Sequence, residues 1–133
     1  MTKTTLGYLI LCDAHGKVGG KDCIYGVFNR IYVGRFPATH ELCSLAFELW
    51  TDPGDHMMSI TVRNTDGQDV VPPLEPQPLP IGPAGQGSGA VQIRGLPLAK
   101  PGIYSFILIL DGEEVGARDL VVEPLPMRGQ NGS

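Results

Sequence analysis

The chain has 133 residues, 42% of them hydrophobic, with 18 glycines, 12 prolines and a formal net charge of −4. That length is one ordinary domain, able to bury a core without a metal or a disulfide. The 10 lysines and arginines are scattered, so no track of cations exists to neutralise phosphates, and nucleic acid and anionic membranes are excluded as expected partners.

Glycine and proline at about twice their usual rates break helices and punctuate strands, which points to a turn-rich β protein. The first apolar stretch, Leu6–Cys12, follows Lys3 and ends in cysteine. It is short for a lipoprotein signal and carries Leu11 where a small residue is needed, so it reads as a strand running to Ala14. No run approaches the ~18 apolar residues of a membrane span, and a cytoplasmic protein is expected. His15 to Gly20 reads as a turn. Asp22–Arg35 follows, too long for one flat strand, with Gly26 and Gly34 as bend points.

Glu41–Trp50 alternates cleanly, placing Cys43, Leu45, Phe47 and Leu49 on one face and Ser44, Ala46, Glu48 and Trp50 on the other. After a turn at Thr51–Asp55, His56–Asn64 alternates again with Met58, Ile60 and Val62 inward. Asp66-Gly67 favours a tight hairpin into a return strand, Asp69–Leu74. The prolines and glycines of Pro72–Gly89 make a long loop or a ragged edge strand. Ala90–Leu96 is a short strand. Ile103–Leu110 is apolar on both faces and therefore central, and Asp111-Gly112 turns it into Glu113–Val122.

These eight segments, with no helical period, give an all-β fold: an immunoglobulin-like antiparallel sandwich of about eight strands, with a closed barrel as the alternative. Residues 1–124 form the single domain and 125–133 a flexible tail. In Pro101-Gly102-Ile103-Tyr104-Ser105-Phe106 the tyrosine is of the kind whose hydroxyl ties back to the preceding corner of a sandwich.

No motif carries recognisable chemistry. His15, His40 and His56 stand alone in three turns, without metal-ligand spacing. Cys12, Cys23 and Cys43 lack paired spacing and read as small buried hydrophobes. Turn carboxylates suit tight turns better than a calcium site, and the glycines around Ser88 precede no helix that would make a nucleophile elbow or a phosphate loop. No cofactor is expected. Asp13, Asn29 and Arg30 are polar residues within apolar strands, and pairing or exposure must account for them.

Leu11-Cys12-Asp13-Ala14, Gly20-Lys21-Asp22-Cys23-Ile24-Tyr25-Gly26-Val27-Phe28, Phe36-Pro37 and Gly102-Ile103-Tyr104-Ser105-Phe106 follow one another in this order. The chain thereby resembles an uncharacterised bacterial family of small all-β domains of unknown function, with L-x-D-A, G-K-x-x-I-x-G-x-F, F-P and G-x-Y-x-F motifs. The resemblance implies a compact cytoplasmic sandwich and brings no activity or site residue with it. The leading functional expectation is a non-enzymatic binding or interaction domain, with a protein partner or a second copy as a homodimer. Its surface would use Tyr32, Trp50, Pro76, Pro78 and Pro80. The alternatives are a small-molecule binder or enzyme with a pocket between the sheets, and a calcium-dependent adhesion or lectin-like domain.

Overall fold

Alternating apolar residues need a partner layer, and the computed structural model, which describes residues 4–71 and 74–126, supplies it as two packed sheets. Among the described residues there are nine strands: β1 (Thr5–Val18), β2 (Lys21–Val27), β3 (Arg30–Val33), β4 (Ala38–Trp50), β5 (Gly54–Arg63), β6 (Gln77–Ile81), β7 (Gln86–Leu98), β8 (Gly102–Leu110) and β9 (Glu113–Pro124). One sheet has the order β2-β1-β4-β7 and the other β3-β9-β8-β5-β6. Each sheet keeps two free edges, so this is an open sandwich and not a barrel.

The sequence of neighbours β9-β8-β5-β6 facing β1-β4-β7 follows the immunoglobulin pattern. The tyrosine corner is present as well: the Tyr104 hydroxyl donates to the Lys100 carbonyl at 2.7 Å. Leu45, Phe47 and Leu49 of β4 interleave with Ile60 and Val62 of β5, Phe106 and Leu108 of β8 and Leu120 of β9 to form one core. The central position expected for Ile103–Leu110 is correct, since β8 lies between β9 and β5.

Three expectations need correction. The long segment Asp22–Arg35 is two strands in different sheets; with β6 gained and Asp69–Leu74 lost as a strand, the count is nine. The chain crosses between layers at Phe28-Asn29, where a strand's alternation has no fixed face to follow. Its second half, β3, runs parallel to β9, so the sandwich is mixed and not wholly antiparallel.

The long loop Pro72–Gly89 contains an ordered edge strand, β6, on β5. Pro78 and Pro80 occupy alternate positions, leaving Gln77, Leu79 and Ile81 to donate to β5. By contrast, the return strand Asp69–Leu74 amounts to a single bridge between Arg63 and Asp69. There the Asn64 side chain caps the turn, accepting from the Asp66 and Gln68 amides at 3.0 Å each. The Pro72-Pro73 pair, and residues 127–133 of the expected tail, lie outside the described residues.

A candidate ligand groove on the outer face of the four-stranded sheet

β1 and β2 are joined at Gly19-Gly20, both with positive φ (58° and 76°), a two-residue turn that glycine adopts without strain. The hairpin is therefore much longer than a turn spanning His15 to Gly20 would allow. Along β1, Leu9 and Leu11 face the core, so Tyr8, Ile10 and Cys12 face outward. His15 has the opposite parity, yet it belongs to a cluster on the outer face. It bonds Asp22, and Asp22 in turn reaches the outward Tyr8. The distal hairpin has folded back over the sheet.

Gly26 makes the fold-back possible. It sits opposite Asp13 with φ 67°, and a Cβ there would collide with the Asp13 carboxylate. The consequence is visible in burial. Cys12, Ser44 and Ala46 point away from the core and are nevertheless buried. Half of β4's outward face, expected to meet solvent, lies under the hairpin.

Asp22 is the centre of the cluster. Its Oδ1 accepts from His15 Nε2 at 3.1 Å, with Lys17 Nζ at 3.7 Å, and its Oδ2 accepts from the Tyr8 hydroxyl at 3.5 Å. Partial burial works against the charged carboxylate, but hydrogen bonds from His15 and Ser88 and the charge of Lys17 outweigh it, and its pKa lies below the usual range. Tyr8 responds in the other direction: burial, then the charges of Asp22 and Glu48, hold its hydroxyl protonated to higher pH. Asp22 is thus the shared acceptor of His15 and Tyr8, tying the distal hairpin to the outer face of β1.

Beside this cluster runs a half-open groove of about 620 Å³. Ser44, Ala90 and Gln92 form its floor, and His15 of the folded hairpin stands on one side. Leu74 and Gln77, leading into β6, stand on the other. Arg94, two residues beyond Gln92 on β7, bounds the groove, and its Nη2 donates to Gln92 Oε1 at 3.5 Å. The adjoining cleft between the sheets, bordered by Met58, Ile60 and Glu75, holds about 130 Å³. A second open groove of about 590 Å³ follows β3, past Tyr32, Thr39 and His40.

The residues singled out from sequence do not converge. Tyr32 is exposed on β3 and Trp50 is exposed at the far end of β4, roughly 40 Å along the strand from the Ala38–His40 segment beside Tyr32. Pro76 precedes β6 while Pro78 and Pro80 lie on it, paired with β5 in the other sheet from Trp50. Asp13 marks the hairpin bend. Asn29 stands at the sheet crossing, where its carbonyl accepts from the Val121 amide at 2.9 Å. Arg30 reaches Glu123 at 2.9 Å, an exposed pair that tethers β3 to β9.

The histidines are not solvent-facing turn residues: His15, His40 and His56 lie in β1, β4 and β5. His40 packs against Phe28 with ring centroids 5.8 Å apart, and its Nε2 has no hydrogen-bond partner among the described residues. His56 is buried and bonded through both nitrogens. Burial pushes the Cys43 thiol up to about 12 and raises Cys12 as well, so neither is a ready nucleophile. Among the described residues no three His, Cys, Asp or Glu side chains gather in one cluster. No helix is long and apolar enough to cross a membrane among them.

Sequence reasoning missed Tyr8, His15, Asp22, Ser88, Gln92 and Arg94. The available signal was Gly19-Gly20, a dipeptide that marks a long hairpin when polar residues alternate on both sides.

Comparison with known families is decisive for kinship. A model of the family of unknown function DUF6941 matches residues 7–123. The chain belongs to this family. Membership brings no assigned activity. No curated protein matches the chain in sequence. In fold, it is similar to part of the alkylpurine DNA glycosylase AlkC of Pseudomonas fluorescens bound to DNA containing an abasic site analog. That match has 14% identity and a TM-score of 0.56, and covers 90% of this chain and 30% of that one. A β-glucosidase of Listeria innocua in complex with glucose is similar at 7% identity and a TM-score of 0.55, covering 96% of this chain and 16% of that one. This DUF6941 chain thus spans less than a third of either protein's length, and at these identities the likeness is one of fold.

Proposed function

We propose that this chain is a non-enzymatic binding domain whose recognition site is the groove on the outer face of the four-stranded sheet. One observation carries the reading: the β1–β2 hairpin folds back over a face that a sandwich ordinarily leaves to solvent, creating a polar-lined wall. The Asp22 carboxylate holds His15 in place on the groove wall, as a preformed binding surface requires. Similar sandwiches form parts of much longer proteins, as a binding module would. The DNA bound by one of them is a poor guide to this ligand, given a net charge of −4. Free, buried Cys12 and Cys43 suit a reducing compartment, and the cytoplasm is the proposed location.

Fragment screening by amide NMR tests this reading, with Ala90→Trp filling the groove floor. Hits that shift the His15, Ser44 and Gln92 amides in the wild type and vanish in the variant support it. Hits confined to other surfaces, or no hits at all, overturn it.

A second reading is favoured by β2, a free sheet edge. Tyr25 is 54% exposed and Val27 65%, two apolar side chains beside unpaired backbone groups. Association of two copies along this edge is the form of homodimer we propose.

A further inference from the structure

From the charge and shape of the groove we infer that its ligand is a small amphipathic monocarboxylate, held by Arg94 at one end with its apolar body along Leu74 and Ala90. The inference rests on the groove being the recognition site. A volume of about 620 Å³ falls within the range of sites for small organic ligands, about 300–1,000 Å³.

Arg94 is the cation that remains available there. It forms no ion pair among the described residues, and its contact to Gln92 at 3.5 Å is long. The other ionisable group on the lining, His15, is already committed to Asp22. A guanidinium presents a planar fork that matches the two oxygens of a carboxylate.

One cation balances one negative charge. A phosphate dianion would keep an uncompensated charge beside Asp22 and near Glu75, which borders the adjoining cleft, on a protein already at −4. The rest of the lining divides between apolar Leu74, Ala90 and Val91 and the neutral polar Ser44, Gln77 and Gln92. An uncharged body with a few hydrogen-bonding groups suits that surface, and a second charge does not.

The experiment titrates 15N-labelled protein with benzoate, phenylacetate and hexanoate, alongside their primary amides and inorganic phosphate, and repeats each titration on Arg94→Gln. The expected result is a carboxylate that shifts the Ala90, Gln92 and Arg94 amides and binds roughly tenfold or more weakly to the variant. Its amide and inorganic phosphate should bind far more weakly to the wild type. Arg94 is exposed, so an unchanged spectrum of free Arg94→Gln shows that the fold is intact. Amides binding as well as carboxylates, phosphate binding as tightly, or a variant that binds like the wild type each overturn the carboxylate assignment while leaving the groove as a site. Absence of every probe and every fragment from the groove overturns the assignment and the proposed function together.

Discussion

His56 and Asp111 are 55 positions apart in the chain, and in the fold the imidazole Nδ1 lies 2.5 Å from the carboxylate Oδ2. The other ring nitrogen, Nε2, lies 2.7 Å from the Asp52 carbonyl. Both neighbours are acceptors, so the protonated ring can donate to each and fasten the β4–β5 turn to the β8–β9 turn. Asp111 is itself fixed by exchanging hydrogen bonds of 2.8 Å with the Met57 backbone, and with Gly112 it takes positive φ in the tight hairpin.

This clamp makes stability depend on pH in a defined direction. Hydrogen bonding to Asp111, then to the Asp52 carbonyl, raises the His56 pKa against the opposing effect of burial. A raised base stabilises fully below its unfolded value near 6.5, and the contribution fades as pH rises through the folded value. Asp111 is lowered, first by the Met57 amide and then by His56, so its share is present above about 3.9 and lost as pH falls through its folded value. The clamp is therefore complete between about pH 4 and 6.5. His56→Gln should cost about 2 kcal/mol by urea denaturation at pH 5.5 and distinctly less at pH 9. An equal cost at both values would show that the charged form contributes nothing.

Neither partner of the clamp was legible as such. Asp111-Gly112 announces a hairpin, and His56 opens an alternating strand, but nothing local says that the two turns meet at the same end of the sandwich. What could be read came from period two. Cys43 to Leu49, Met58 to Val62 and the doubly apolar Ile103–Leu110 lie where alternation and burial require, because each such strand has one way to satisfy the core. The fold-back of the hairpin, and with it the groove, depends on Gly26 meeting Asp13 and on Asp22 reaching Tyr8 and Ser88. Those contacts are non-local, and a linear pattern carries no trace of them. Asn29 and Arg30 were noticeable as polar residues in an apolar run, and the reason is the change of sheet.

The tyrosine corner should contribute on its own. Tyr104 is buried to its hydroxyl, which donates to the Lys100 carbonyl across the approach to β8. Tyr104→Phe removes one hydrogen bond and keeps the ring in place. The expected loss is about 1 kcal/mol, seen as a lower urea midpoint with an unchanged slope. A variant as stable as the wild type would mean that the corner is geometry without energy.

Asp22 should govern the hairpin more than the molecule as a whole. Asp22→Asn keeps the shape and removes the charge that His15 and Lys17 face. Faster amide exchange is expected in the distal hairpin, at Cys23 and Ile24, with the core strand β8 unchanged. Since the Asp22 carboxyl is lowered in the fold, its contribution holds above the ordinary carboxylate range and disappears as pH falls through the folded value. Wild type and variant should accordingly converge in exchange behaviour as pH falls through that value. Exchange that rises uniformly across both sheets would instead assign Asp22 to global stability.

Association along β2 makes the sharpest demand on the surface. Edge strands that stay apart are usually short, charged or proline-bearing, as β6 is with Pro78 and Pro80. β2 has Lys21 and Asp22 at its turn end, but its other half offers Tyr25 and Val27 to solvent beside a free backbone edge. Light scattering across a concentration series should show the wild-type mass rising toward that of a dimer. Val27→Lys places a charge on the edge and pairs no worse with Cys12 across the hairpin, because Val27 points outward and is already 65% exposed. It should stay monomeric throughout with an unaltered melting temperature. A wild type that remains monomeric at the highest concentration removes the homodimer reading, and a Val27→Lys protein that still dimerises moves the interface away from β2.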